Sequence, residues 1–196
     1  MIIGDNMENQ IISVNQLMME DSTFTESSFI SKVDNLFIML YSGIMFGNLE
    51  RVKHKLSNNV LNRYQAIIDD LNSKNLRQMY DELNVKSTSI VGIYKNNEKY
   101  TIEVQLQSRY MDYLVDKTTN KYVSGINTYR IEVSNRLVFT KRLNARREGE
   151  TRKCPGCNAN IDSNSTGKCP YCGTFYDTEN YDWILEDVRW IRNQKE

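Results

Sequence analysis

All four cysteines of the chain lie in one stretch near its carboxyl end, and their spacing is typical of a metal site. They form two Cys-Pro-x-Cys units that are separated by eleven residues. Each unit can direct two thiolates at one centre, and the connection is long enough for a hairpin that returns the second pair to the first. The pattern predicts one structural Zn²⁺ with four ligands, Cys154, Cys157, Cys169 and Cys172.

The neighbouring residues favour tight loops around this site. The only two prolines, Pro155 and Pro170, occupy the same place in both units. Proline fixes φ there and removes an amide that would otherwise need a partner. Asn158 and Gly173 follow the second cysteine of each unit, and both tolerate positive φ. Four bound thiolates leave no open position for water, so the pattern disfavours catalysis by the metal.

Two alternatives to zinc stay open at the level of sequence. Two disulfides would require an oxidising compartment, whereas the sequence shows no secretory segment and therefore predicts a cytoplasmic protein. Iron in a rubredoxin-like site uses the same loops, because four thiolates serve both metals. Ligand type alone does not exclude iron.

The composition is that of a folded protein with a small appendage. Of the 196 residues, 40% are apolar and 26% are charged, which is typical of one globular domain. The 25 basic and 25 acidic residues cancel, so overall charge does not favour a nucleic-acid or membrane partner. The longest uncharged stretch, residues 35 to 49, is shorter than the ~20 apolar residues of a spanning helix, and no membrane span is predicted.

Helices are predicted to precede the strands. Residues 1 to 22 are interpreted as a flexible leader with at most two turns of helix. Thr25 can cap a helix whose apolar side chains recur at helical spacing as far as about Phe46. A short amphipathic segment then leads to a further helix, capped near Ser57 or Asn58.

From Leu83 onward the apolar period changes to two, which predicts an antiparallel meander of long strands. Val91 and Ile93 begin this pattern on one face. Asn96-Asn97 is predicted to form a hairpin turn with positive φ, and residues 117 to 120 mark a second reversal. The predicted fold class is α+β, with amino-terminal helices packed on a curved antiparallel sheet that forms a cone, followed by a small zinc ribbon.

The strands offer a candidate pocket but no catalytic group. Tyr110, Tyr113, Tyr129 and Phe139 could line a pocket inside the cone, although aromatic residues at strand period are more often core. Asp112 and Asp116 are the nearest approach to paired carboxylates, and His54 is the only histidine. No catalytic residue is assigned, and no small-molecule substrate is expected.

One strongly basic run separates the predicted sheet from the cysteines. Its cations are Lys141, Arg142, Arg146, Arg147, Arg152 and Lys153. Such a run is commonly a solvated linker, but it could also bind phosphate of RNA or of anionic lipid, at ~1 kcal/mol per basic residue. The apolar tail from Tyr181 to Ile191 is expected to pack against the metal module or the cone, first extended and then helical.

The order of these features resembles the Tim44-like domain, in particular its bacterial forms that end in a zinc ribbon. The matching pieces are FTESSFISKVDNLF, LNVKSTSIVGIYK, MDYLVDKTTNKYVSG and LVFTKR, then CPGCNANIDSNSTGKCPYCG followed by YDWIL. The resemblance covers roughly residues 24 to 190 and implies a cone related to nuclear-transport-factor-two-like and cystatin-like domains. In mitochondrial relatives the domain binds cardiolipin-rich membrane and helps to organise protein import, and a further relative is a mitochondrial ribosomal protein.

Two hypotheses for function follow. The first is a non-enzymatic binding or scaffold module in protein transport, which docks a protein partner or an anionic membrane surface. The alternative is an RNA- or ribosome-associated factor that uses the ribbon and the basic run. The predicted organisation is a leader at 1–22, the cone at 23–143, a basic linker at 144–153, and the ribbon with its tail at 154–196.

Overall fold

The computed structural model describes residues 9–143, 151–154, 156–162, 169–174 and 182–191. The helices are α1 (Val14–Glu20), α2 (Glu26–Phe46) and α3 (Asn58–Ser73), with a 3-10 helix at Lys53–Lys55. The strands are β1 (Gln10–Ile11), β2 (Leu76–Lys95), β3 (Lys99–Asp116), β4 (Tyr122–Arg142), β5 (Thr151–Lys153), β6 (Asn160–Asp162) and β7 (Ile184–Ile191).

Five strands form one antiparallel sheet in the order β1-β2-β3-β4-β7, and β5 pairs with β6 separately. Along β3 every second side chain is buried, as Tyr100, Ile102, Val104 and Leu106 show. These side chains belong to the same core as the apolar faces of α2 and α3. The predicted fold class, helices on a curved antiparallel sheet, is confirmed.

The helix α2 forms the centre of the packing and has the predicted bounds. The Thr25 hydroxyl accepts a hydrogen bond from the Ser28 amide (3.3 Å), and Gly47 ends the helix with φ of 66°. Of the described helices, α2 alone is long and apolar enough to cross a membrane by length and composition. One face of it is buried against the sheet, from Phe29 to Ile44, which is the arrangement of a core helix.

The start of α3 is fixed both to its own helix and to the sheet. The Ser57 hydroxyl accepts from the Val60 amide (3.3 Å), which confirms the predicted cap. The Ser57 amide donates to the Leu185 carbonyl of β7 (3.0 Å). Because β7 is the last strand of the sheet, this contact covers part of an edge that would otherwise be open.

The first hairpin turn lies where the sequence predicts it but is built differently. The Asn96 side-chain oxygen accepts from the amides of Glu98 (3.0 Å) and Lys99 (2.9 Å). Neither Asn96 nor Asn97 has positive φ, so that part of the prediction is wrong. The side chain of Asn96 supplies an Asx-type turn, which needs no left-handed residue.

The second reversal is confirmed, and Asp116 organises it. Its carboxylate accepts from the amides of Thr118 (3.1 Å) and Thr119 (2.7 Å). Asn120 has φ of 57°, a conformation that asparagine tolerates well. Asp116 is therefore a strand-end residue, as its position in the sequence indicates.

Residues 9 to 22 are folded and not the flexible leader that the sequence predicts. Gln10 pairs with Lys95 at the end of β2, and Leu17 of α1 is completely buried. Ser13 and Gln16 form a reciprocal capping box at the start of α1. Burial of Leu17 and Ile12 in the core anchors this short helix, a long-range contact that the local sequence does not reveal.

Two details of β2 also differ from expectation. The strand begins at Leu76, seven residues before the apolar period becomes visible at Leu83. A bulge lies between Ile90 and Gly92, so Val91 is the extra residue and is exposed whereas Ile93 is buried. The predicted placement of Val91 and Ile93 on one face is wrong for that reason.

The tail returns to the cone and is extended from Ile184 to Ile191, without the predicted helix. The strand β7 pairs with β4 from Ser134 to Thr140. Before it, the Trp183 ring packs edge-on against Phe29, with ring centroids 5.3 Å apart. The final strand thus belongs to the main sheet and not to the cysteine module. The predicted boundaries between the cone, the basic linker and the ribbon stay predictions.

Candidate metal centre

The four cysteine sulfurs converge on one point. All four Sγ atoms lie within 4.8 Å of one another. The Sγ atoms of Cys154 and Cys172 are 3.5 Å apart, and those of Cys157 and Cys169 are 3.8 Å apart. A tetrahedral ion with bonds of about 2.3 Å to sulfur requires sulfur separations of roughly 3.8 Å. The cluster can therefore hold one metal ion, and its close pairs join the two loops to each other.

The two loops have the same backbone. The Asn158 amide donates to the Cys154 carbonyl (2.9 Å), and the Gly173 amide donates to the Cys169 carbonyl (3.0 Å). Asn158 has φ of 58° and Gly173 has φ of 74°. This confirms the prediction that both positions take positive φ, and it shows why the repeat Cys-Pro-x-Cys is followed by a residue that tolerates that region.

Residues beyond the ligands also shape the site. A β-carbon on Gly156 would lie 2.2 Å from the Thr174 hydroxyl oxygen, so only glycine fits between the two loops at this point. The Thr174 Oγ1 and Cys172 Sγ atoms are 3.2 Å apart. Gly156 and Thr174 therefore lock one loop against the other.

The four thiols differ in how readily they lose their protons. Hydrogen bonds from the Thr174 hydroxyl and amide lower the pKa of Cys172 to about 6. The Ala159 amide lowers the pKa of Cys157, but hydrogen bonds to the clustered thiols outweigh it and raise that pKa to about 12. Four crowded thiols thus do not all ionise by themselves at neutral pH. A metal ion must displace the remaining protons, so its affinity depends on pH.

Few of the described residues in the cysteine module are buried. Cys154, Cys169 and Ile161 form its buried cluster, while Cys157 and Cys172 are exposed. Four protein ligands complete a tetrahedral shell, which suits a structural role.

The interior of the cone is filled by tyrosines. Tyr41 of α2 contacts Tyr80 of β2 and Tyr110 of β3, with ring centroids 4.6 and 5.6 Å apart. Burial raises the pKa of Tyr110 to about 12, against the opposing effect of a hydrogen bond with Tyr41. Sequence reasoning missed Tyr41 as a partner, although it lies four residues after Phe37 on the buried stripe of α2.

A profile of the family described as "Tim44-like domain" matches residues 12–150. The chain belongs to the Tim44-like domain family. A search of curated proteins found no match. The matched residues extend from just after β1 to beyond β4, so the match includes α1 but ends before the cysteines and before β7.

The four predicted pocket residues lie in different surroundings of this Tim44-like domain. Tyr110 is in the tyrosine cluster and Phe139 packs against Phe29, with centroids 5.4 Å apart. The Tyr113 hydroxyl donates to Asp81, and Tyr129 is 60% exposed. None of the four lines the cleft between Phe24 and Trp183, the one beside Lys99 and Arg142, or the one beside Phe46 and Lys117.

The basic run is only partly described. Arg146 and Arg147, and the side chain of Arg152, lie outside the described residues. Arg142 and Lys153 are exposed. Lys141 instead pairs with Asp21 at 2.5 Å, and the two side chains are only 11% and 13% exposed. Lys141 was predicted to bind anions, but this ion pair holds α1 to the end of β4 and leaves little of its charge at the surface.

The carboxylates that were considered for catalysis have structural surroundings. Asp112 accepts a hydrogen bond from the Gln78 side chain (2.8 Å), and burial raises its pKa against the effect of that bond. Asp116 caps the turn described above. The hydrogen bonds of each carboxylate therefore give it a structural role in the fold.

Proposed function

We propose that this Tim44-like protein is a non-enzymatic scaffold that docks a protein partner, with a zinc-bound module inserted between two strands of its sheet. Membership of the family supports a scaffold or binding role in protein transport. The observation that carries the proposal is the filled cone: Tyr41 and Tyr110 are buried and pack against each other between α2 and the sheet. Such a body presents surfaces more readily than it encloses a substrate.

Zinc is the metal proposed for the four cysteines. Sulfur separations of 3.5 and 3.8 Å suit a four-coordinate ion, and two short loops with positive φ after the second cysteine fit a ribbon. Elemental analysis of protein produced in reducing cytosol should give one zinc per chain. Visible absorption from iron–thiolate bonds would instead assign the rubredoxin-like alternative. Protein that contains no metal would overturn the proposal that the four cysteines bind zinc.

The surface supports a protein partner. Large apolar side chains are exposed on the outer side of α2 and on α3: Phe46 is 81% exposed, Ile67 42% and Met39 40%. Exposed apolar side chains on one part of a surface commonly mark an interaction site when they adjoin one another. The second half of α2 favours a protein over an anionic membrane, because the cations that attract anionic lipid are lacking from residues 35 to 49.

Binding to an anionic membrane and binding to RNA are the alternatives to a protein partner, and each has its own test. An exposed Tyr171 in the second cysteine loop and an exposed Lys153 favour RNA contact, since bases stack on aromatic rings. The proposed location is the cytoplasm, with contact to the membrane surface as the variant.

Three binding measurements test the proposal. Photo-crosslinking from position 46 in cells should give one or a few discrete protein adducts. Flotation with neutral and anionic vesicles should show no dependence on anionic lipid. RNA binding at two salt concentrations should be weak, because neutralised phosphates would produce a steep fall of affinity with salt. Strong lipid or RNA binding with no protein adduct would overturn the proposal in favour of the corresponding variant.

A further inference from the structure

A small cleft opens where the carboxyl end of α2 meets α3 and the first residues of β2. Its volume is about 110 Å³, several times the about 10–15 Å³ that one water molecule needs, so the cleft has room for an apolar side chain. The apolar part of the lining is Ile44, Met45, Phe46, Ile68, Leu71 and Leu76. Phe46 lies at the edge of this lining, with most of its side chain exposed to solvent.

Two cations line the same cleft, and none of its lining residues is acidic. Arg77 donates through Nη2 to the side-chain oxygen of Asn120, and its Nε is buried without a hydrogen-bond partner. Lys117 donates to the side-chain oxygen of Asn72 (2.8 Å). Among the described residues no carboxylate forms an ion pair with either cation. The cleft therefore combines an apolar floor with positive charge that is not neutralised, and Arg77 retains donors for a further acceptor.

The walls are held in place before any partner binds. The Tyr80 amide donates to the Met45 sulfur (3.1 Å), which fixes the last turn of α2 on β2. Gly47 ends the helix at this point, and a β-carbon there would touch Ile68 of α3 at 3.7 Å. A preformed cleft loses little conformational entropy on binding, so even a short segment can bind to it.

We propose that this cleft docks a short segment of a partner protein in which an acidic residue adjoins a large apolar one. The apolar side chain enters the cleft and packs against Phe46, and the carboxylate lies between Arg77 and Lys117. The pairing follows from charge complementarity, because an apolar segment without an acid would leave both cations facing it without a partner. The inference rests on the proposed scaffold function and names the surface that performs it.

The experiment uses the full chain with its metal bound and a library of random 12-residue peptides displayed on phage. We expect selected peptides to share Asp or Glu next to Leu, Ile, Met or Phe. Their affinity, measured by fluorescence anisotropy, should fall at least about tenfold for Phe46→Ala and for Lys117→Glu, as truncation at the centre of an interface commonly does. Addition of peptide should also shift the methyl signal of Met45, a cleft residue, in a spectrum of ¹³C-methyl-labelled methionine.

Matched variants separate binding from folding. Phe46 and Lys117 are exposed, so their replacement should leave the melting temperature nearly unchanged. Lys117→Arg should keep peptide affinity because the charge is retained. Lys99→Glu makes the same charge change at the opposite end of β3 and should leave affinity unchanged. If Lys117→Glu lowers the melting temperature but not peptide affinity, the lysine only holds the end of α3 and the proposal is overturned.

The remaining outcomes distinguish this inference from the proposed function. The proposal that the cleft docks a peptide is overturned if no peptide is selected. It is also overturned if the selected peptides bind Phe46→Ala and Lys117→Glu as tightly as the unchanged protein. If crosslinkers placed at positions 129 or 19 then give partner adducts and a crosslinker at position 46 does not, the scaffold function stands. Only the proposal that the cleft is the docking site is then wrong. Binding to anionic vesicles that requires Phe46 and Lys117, without any selected peptide, assigns the cleft to lipid and also overturns the proposal.

Discussion

The cone and the cysteine module differ in what holds them together. The cone has one continuous apolar core that includes residues of α1, α2, α3 and all the long strands. Among the described residues of the module, the buried cluster contains Cys154, Ile161 and Cys169 alone. Burial of apolar surface can stabilise the first, whereas the second is too small and requires a ligand. One chain thus uses two sources of stability, and each can be removed separately.

Metal removal should have the largest effect and should be confined to the module. Zinc binding to such modules contributes ~10–16 kcal/mol apparent at neutral pH, and the free thiols have no comparable alternative. After chelation we expect hydrogen exchange to become fast from 151 to 174, while the amides of β7 stay protected because they pair with β4.

The control for metal removal is Cys169→Ala, which should give the same exchange pattern without a chelator. Loss of protection throughout β3 and β4 on chelation would contradict the separation of the two regions. Loss in β7 alone would show that the module, and not pairing with β4, holds the last strand in place.

Truncation of a buried side chain in α1 should produce the next largest effect. Leu17 is completely buried, so Leu17→Ala should lower the free energy of unfolding by ~2–5 kcal/mol through a cavity in the core. Met19 of the same helix is 85% exposed, and Met19→Ala should change stability by less than about 0.5 kcal/mol. Urea unfolding followed by tryptophan fluorescence measures both changes in stability. Equal small effects would support the original prediction that this segment is a flexible leader.

The contrast between these regions also explains how far the sequence alone could be used. The cysteine ligands and their positive-φ neighbours were predictable because the chemistry of a metal loop is local. The helix caps at Thr25 and Ser57 were predictable for the same reason. The packing of Leu17 and the pairing of β7 depend on contacts between distant parts of the chain, such as Asp21 with Lys141, which are 120 residues apart.

Bulges and the tyrosine cluster were missed for a related reason. A strand pattern indicates which residues alternate, but it does not show where an extra residue such as Val91 shifts the register. Tyr41 and Tyr110 were each assignable to a buried face. Their contact depends on how α2 crosses the sheet, which no single element specifies.

The ion pair of Asp21 and Lys141 should give the cone a pH dependence. Burial raises the pKa of Asp21, but hydrogen bonds from Lys141 and Thr23 outweigh it and lower the pKa below its ordinary value. The stabilisation is therefore complete above the unfolded pKa of about 3.9 and is lost as pH falls through the lower folded value.

Asp21→Asn should cost ~1.5–3 kcal/mol at pH 7, since it removes a charged hydrogen bond to a largely buried lysine. The difference between the variant and the unchanged protein should shrink between pH 4 and pH 2. Urea titrations at a series of pH values measure it. A difference that stays constant over this range would show that the carboxylate contributes shape and not charge.

The smallest expected effect tests whether β7 is part of the cone. Ser57→Ala removes both the cap of α3 and the hydrogen bond from the Ser57 hydroxyl to the Glu186 carbonyl (3.3 Å). We expect a loss of about 1 kcal/mol and faster hydrogen exchange in β7 as well as in α3. Thr25→Ala removes the cap of α2, in which the Thr25 hydroxyl accepts from the Ser28 amide of the same helix, and is the matched control. If both variants cost the same but neither changes exchange in β7, the pairing of β7 with β4 alone holds the returning strand, and α3 only covers its edge.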